Sequence, residues 1–199
     1  STPPKPTATP TAQQILTSAK NAHLTDETFT VTVQGTANGT TISVTGTGKA
    51  TVNPARVAMS LSTQVNGTTV ALDEVIDAAT GASYTRITSP ASLATGSWVK
   101  SSDSSSPISA SDLQASAAYG NITDAKLIGS EQVNNVNTWH VQGTIAKSGS
   151  NGTIDVYVRT ADYLPVKMVI HGTGDAAIDV TVLYTAVNSG ITIDLPTVN

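Results

Sequence analysis

Apolar residues recur at every second position through most of this chain. "TFTVTVQG" sets Phe29, Val31 and Val33 against threonines, the period of a strand with one buried face. Asn38-Gly39 follows, a dipeptide suited to a two-residue hairpin turn. "TISVTGTGKATV" resumes the alternation with Ile42 and Val44, and Asn53-Pro54 breaks it. "RVAMSLSTQV" puts Val57, Met59, Leu61 and Val65 on one parity. Asn66-Gly67 then leads into "TTVALDEVI", with Leu72, and "ASYTRI" adds a fifth strand with Tyr84. Consecutive strands joined by hairpins predict an antiparallel meander.

Two stretches depart from this period. "AQQILTSAKNAHL" spaces Ile15, Leu16, Ala19, Ala22 and Leu24 for one face of a helix, with Thr11 as its cap. The Ser-rich middle, "SPASLATGSWVKSSDSSSPISASDLQASAAYGNI", predicts a short strand at Trp98-Val99. It also predicts a helix from Ser109 to Tyr119, capped by Ser109 or Ser111, with Leu113 and Ala117 on one face. Alternation then resumes in "AKLIGSEQV", "NTWHVQGTIA", "GTIDVYVRT", "LPVKMVIHGT" and "AIDVTVLYTAV". The apolar sets are Trp139, Val141, Ile145; Ile154, Val156, Val158; Leu164, Val166, Met168, Ile170; and Ile178, Val180, Val182, Tyr184. Asp155, Arg159, Lys167 and Asp179 take the other parity, which is expected to face water.

About ten long antiparallel strands curl, and the two or three short helices are the only elements available to cover the apolar face. The predicted fold is α+β and mostly β. It is a curved antiparallel half barrel of about ten strands with helices over the concave side. Residues 1–12, with Pro3, Pro4, Pro6 and Pro10, read as a Pro/Thr-rich tether. Residues 13–199 read as the folded domain.

Composition narrows the function classes. Charged residues are 12% of the 199, aromatic residues 4%, and the net charge is −4. That balance argues against nucleic acid, which needs a basic stripe. With no cysteine, disulfides and thiolate chemistry are excluded. Thr, Ser, Ala, Gly and Asn fill the remainder, as in exported proteins. No apolar run approaches the ~20 residues of a spanning helix.

Candidate chemistry is sparse. His23, His140 and His171 have no metal-ligand spacing and read as surface residues, so no metal or cofactor is expected. No GxSxG elbow occurs. "GTGKA" lies inside a strand and lacks phosphate-loop spacing. Asp73, Glu74 and Asp77 read as a solvated strand end. Asn-x-Thr triplets at Asn38, Asn66, Asn121 and Asn151 are mostly explained by turns. An enzyme is therefore not expected. The predicted inner wall is mostly small and β-branched. Such a wall either leaves an apolar hollow, which binds apolar ligands, or is closed by the helices.

Several segments, taken in order, resemble the LppX/LprA/LprF/LprG family of bacterial lipoproteins, within the wider LolA-like and LolB-like lipoprotein carriers. They are "GASYTRI", "GSWVK", "SASDLQASA", "DAKLIGSEQVNNVNTWHVQGTI" and "IDVYVRTADYLPVKMVI". The series runs from about Gln13 to Asn199. The resemblance implies a half barrel with an apolar cavity for acyl chains between sheet and helices. It also implies an extracytoplasmic place in the cell envelope, at the outer face of the cytoplasmic membrane. There the Pro/Thr leader would be the spacer after a lipidated Cys. The implied partners are a lipid or the acyl chains of a lipoprotein, and the membrane through that anchor. The chain is expected to be a monomer, with no nucleic-acid partner. Carried over by inward parity, the expected lipid-binding wall is Ile15, Ala19, Val31, Val33, Val44, Met59, Leu61, Leu72, Leu113, Ala117, Val141, Val156, Met168, Ile170 and Val180. The competing expectation is an envelope interaction or sensor module on the same fold, with a filled core.

Overall fold

The structure, a computed structural model, describes residues 8–37, 39–94, 96–101, 114–147, 150–173 and 176–198. It opens with helix α1, Ala12–Lys20. Thr11 Oγ1 accepts from Gln14 N at 3.2 Å, and Gln14 Oε1 accepts from Thr11 N at 2.8 Å. This reciprocal box satisfies two donors that a helix start leaves free. The apolar stripe Ala12, Ile15, Leu16 and Ala19 is buried.

The strands are β1 (Asp26–Ala37), β2 (Thr40–Thr51), β3 (Arg56–Val65), β4 (Thr68–Asp77), β5 (Ala82–Ser89), β6 (Val99–Ser101), β7 (Ile122–Val133), β8 (Val136–Lys147), β9 (Ser150–Arg159), β10 (Pro165–Gly172) and β11 (Ala176–Val187). A second helix, α2 (Ala115–Tyr119), precedes β7. All eleven strands form one sheet in the order β6-β5-β4-β3-β2-β1-β11-β10-β9-β8-β7. Every pairing is antiparallel. Two meanders thus meet where the first long strand pairs with the last. Among the described residues the sheet has eleven strands, in line with the expected ten or so, and the short strand expected at Trp98-Val99 lies at Val99–Ser101.

Turn chemistry follows the sequence. Asn66 and Gly67 have φ of 50° and 77°, and Asn134 and Asn135 have 51° and 64°. Two positive φ values in succession define the hairpin turn that matches strand twist. Asn38 and the segment 102–113 lie outside the described residues, so the predicted caps Ser109 and Ser111 and the wall residue Leu113 do too.

Register carries one row, apolar but for Gly46, across nine of the eleven strands, from β4 to β7. Leu72, Leu61, Gly46, Val31, Val182, Met168, Val156, Val141 and Leu127 are successive partners. This row lies on the concave side beneath the helices. At its centre Val31, Val182, Met168, Val156 and Val141 are essentially inaccessible. The next row holds Gly48 beside Phe29. A Cβ on Gly48 would lie 2.5 Å from the Phe29 ring, so the ring occupies the space that the glycine leaves. Gly48→Ala is expected to displace Phe29 and cost about 1–3 kcal/mol, read as a shift in urea midpoint with unchanged slope.

The opposite face is not uniformly wet. Val75, Ala82, Tyr84 and Ile193 form a second buried cluster on the convex side, with Ala58, Trp98, Ile191 and Leu195 against it. The C-terminal segment is held there by Arg56 Nη1, which donates to Ile193 O at 2.7 Å, and by Lys49 Nζ, which donates to Thr192 O at 3.3 Å. Asp26 anchors the same segment by accepting from Ser189 N and Gly190 N.

Candidate functional site: the concave apolar wall

The concave side brings together residues from nearly every strand. Register puts Val31, Val33, Val44, Met59, Leu61, Leu72, Val141, Val156, Met168, Ile170 and Val180 on this face. Ile15 and Ala19 of α1 pack against it. Ala117 is half-buried and outside that apolar core. Its helix starts at Ala115, so Ala115, Ala118 and Tyr119 turn inward instead. Phe29, Val57, Ile154, Val158 and Val182 also belong to the buried core, and the period-2 pattern marks each of them.

Burial is graded along the wall. The part under α1 is closed. Toward the other strand ends, Ile42, Val44, Leu61, Ile170, Ile178 and Val180 are only partly buried, and so is Leu72. Among the described residues the wall therefore passes from a closed core into a row of partly buried apolar side chains. Two hollows lie elsewhere. One of about 540 Å³ is lined mainly by convex-side residues, among them Lys49, Ala58, Asp73, Arg86 and Trp98. One of about 320 Å³ lies over Asp155, Tyr157, Lys167, His171 and Asp179.

Two acids share the concave face with these hydrocarbons. Glu27 has the parity of Phe29 and Val31, and pairs with Ala50 across β2. It is 2% exposed. Its Oε1 accepts from Ala115 N at 3.2 Å, while Oε2 has no partner among the described residues. Burial pushes its carboxyl up to about 8, aided by the nearby Asp26 charge and opposed by the Ala115 N–H. Glu74 sits between Leu72 and Ile76 in parity and is buried too. Burial also raises its pKa.

Glu74 corrects the reading of Asp73, Glu74 and Asp77 as a solvated strand end. Glu74 and Asp77 are both buried. Asp73 accepts from Arg86 Nη2 at 2.6 Å and from Ser60 Oγ at 2.7 Å. The Arg86 guanidinium stacks 4.8 Å over Trp98.

Of the two strand histidines, His171 stays at the surface as expected, while His140 is largely buried, and both meet carboxylates. Asp155 keeps its predicted convex parity but is buried rather than water-facing. Its Oδ1 lies 2.6 Å from His140 Nε2 and accepts from Gln142 Nε2 at 3.0 Å; its Oδ2 lies 3.5 Å from His171 Nε2. His140 Nδ1 reaches Glu131 at 2.8 Å, and His171 Nδ1 reaches Asp179 at 2.9 Å. This line of side chains stitches β7 to β11. Among the described residues no group of three such side chains is placed to hold a metal. Asp155→Ala is expected to cost about 1–3 kcal/mol, because it removes the buried acceptor shared by His140 and Gln142. Asp179→Ala, at an exposed end of the line, is expected to cost less than about 1 kcal/mol. Paired urea titrations check the contrast.

An open antiparallel sheet curled around short helices, apolar within, defines a half-barrel class of domain. No family model matches the sequence, and no curated protein matches it. Solved structures do share the fold. LprF from Mycobacterium bovis aligns with a TM-score of 0.62 and 18% identity, over 93% of this chain and 96% of that one. The lipoprotein LppX from Mycobacterium tuberculosis aligns with a TM-score of 0.55 and 15% identity, over 90% of this chain and 98% of that one. At these identities what is shared is the fold, and it is the fold that the resemblance implies.

Proposed function

We propose that this domain is an extracytoplasmic lipid-binding protein of the bacterial cell envelope. It takes acyl chains against the concave wall, between sheet and helices, and takes part in their transfer. The Pro/Thr-rich residues before Thr11 serve as a spacer; Thr11 and Ala12, counted with it in the sequence, belong to α1 as its cap and its first buried residue. The observation that carries this reading is the row of apolar side chains, Ile42, Val44, Leu61, Ile170, Ile178 and Val180, left partly buried beside the closed core. The likeness to the lipoprotein LppX supports it. Each acyl CH₂ removed from water there contributes about 0.8 kcal/mol, so a long chain binds without a dedicated charge.

The test is titration with a fluorescent long-chain lipid. Leu61→Trp and Val180→Trp enlarge partly buried positions of this row, where a larger side chain meets less resistance than at the closed centre. Both are expected to weaken binding at least about tenfold while circular dichroism stays native, as lost chain burial of two methylenes already implies. Absence of saturable binding by the native protein would return the domain to the class of envelope interaction modules.

A further inference from the structure

The convex hollow of about 320 Å³ is assembled by register from four strands. Thr32, Thr181, Val169 and Asp155 are successive partners across β1, β11, β10 and β9. Gln34, Asp179 and His171 form the next row, and Lys167 pairs with Tyr157 on the other side. Partners on neighbouring strands lie about 5 Å apart, so these side chains converge on one spot. The volume lies at the lower end of the range of small-ligand pockets, about 300–1,000 Å³.

Asp155 is the fixed point of the hollow. It is only 6% exposed, yet it lines the space. Its Oδ1 is engaged by His140 and Gln142. Its Oδ2 lies 3.5 Å from His171 Nε2, the outer limit of a hydrogen bond. A carboxylate oxygen has two lone pairs to fill, and leaving them empty away from water costs free energy. The side chain is held where it is, because His140 is itself fixed. Its Nδ1 meets Glu131 at 2.8 Å, and its ring stacks 4.3 Å from the Tyr157 ring. An acceptor with spare capacity thus stands in the wall of the hollow.

We propose that this hollow is a second binding site, for a neutral saccharide unit with neighbouring hydroxyls. It lies on the opposite face of the sheet from the apolar wall and does not depend on the lipid-binding reading.

Charge supports the choice of ligand. Two carboxylates, Asp155 and Asp179, stand against the Lys167 ammonium and the His171 ring, whose nitrogens lie 3.5 Å and 2.9 Å from those carboxylates. An anion would be repelled by the acids. A cation would be repelled by Lys167 and would compete with His171 for its partners. A neutral ligand meets neither penalty. The hydrogen-bonding groups are mixed: the carboxylates accept, Lys167 donates, and Gln34 and the threonine hydroxyls do both. Each sugar hydroxyl is also donor and acceptor at once, so a run of them matches such a lining. The partly buried Val169 in the floor gives the C–H face of a sugar ring an apolar contact.

The experiment titrates the isotope-labelled protein with maltose, lactose and mannobiose at neutral pH and follows amide chemical shifts. These sugars present the common gluco, galacto and manno arrangements of neighbouring hydroxyls. Glucuronate and glucosamine are the charged controls. At least one neutral disaccharide is expected to shift the amides of Gln34, Val169 and Asp179 saturably, and the controls to bind at least about tenfold more weakly. Asp179→Ala is expected to weaken saccharide binding about tenfold, the worth of one hydrogen bond to a charged group. Gln34→Ala, at an exposed position, is expected to weaken it about threefold or more. Urea midpoints of the two variants show that the fold persists. No saturable shift with any of the three sugars, a control that binds as well as they do, or binding unchanged in either folded variant overturns the site. None of these results bears on lipid binding, which the fluorescent-lipid titration decides.

Discussion

Val156→Asp is expected to abolish the folded state at 25 °C. Val156 is fully buried at the centre of the concave row, between Val141 on β8 and Met168 on β10. A carboxylate there has only hydrocarbon beside it, and burying an unpaired charge costs many kcal/mol before the group neutralises. Even the protonated acid leaves polar atoms unsatisfied. A domain of ordinary stability has about 5–15 kcal/mol to lose. Far-UV circular dichroism and a urea titration check this, with Thr153→Asp as the control. Thr153 lies on the same strand, one register pair from the end of the β10 ladder, and is exposed. Its replacement is expected to shift stability by less than about 1 kcal/mol. Equal effects at the two positions would mean that the faces of β9 are misassigned.

The second large effect is pH dependence set by Glu27. Its folded pKa, about 8, lies above the ordinary value of 4.5. Folding therefore favours the protonated form. That contribution is fully present below about pH 4.5 and is lost as pH rises through 8. Stability is expected to fall between about pH 5 and 9, by an amount on the order of a few kcal/mol. The charged group nearest in sequence, Asp26, is already ionised in this window. Partial burial raises its pKa, but hydrogen bonds from Thr25 and from the backbone of Ser189, Gly190 and Ile191 bring it below the usual range. Tyr119 and Tyr184 are pushed above their ordinary values by burial and by the Glu27 charge, and stay neutral throughout. Glu74, also raised by burial, contributes with the same sign. The difference between native protein and Glu27→Gln isolates the Glu27 contribution. The variant is expected to be the flatter of the two, and urea midpoints at half-unit steps of pH check it.

Much of the fold was legible because antiparallel strands write their faces into a period of two. Phe29, Val31 and Val33 predict one wall, and Met168 and Ile170 another. Asn66-Gly67 marks a turn that only residues tolerant of positive φ make well. The β1–β11 pairing was not legible as a register. It joins residues about 150 positions apart, such as Val31 and Val182, and no local signal ties them. The cover of the convex side was also hidden, since Ile193 lies in an irregular segment with no period to read. Tyr84 was read as an ordinary strand residue, yet it packs with Ile193 away from the main core.

The buried acids were missed for a different reason. Glu27 stands one residue before the stretch read as strand, so its parity with Phe29 was not counted. Glu74 alternates with Leu72 and Ile76, but was grouped by charge with Asp73 and Asp77. For Asp155 the parity was right and the exposure wrong. A convex-side residue is buried when His140, Gln142 and His171 close over it. In each case alternation identified the face. It did not report how thickly that face is covered.

The most direct test of the concave site is photo-crosslinking with a long-chain neutral lipid that carries a diazirine midway along its acyl chain, followed by peptide mass spectrometry. The account predicts adducts on the peptides bearing Leu61, Ile170 and Val180, lost in Val180→Trp. Adducts confined to convex-side residues such as Lys49 and Trp98, or no adduct at saturating lipid, would contradict it.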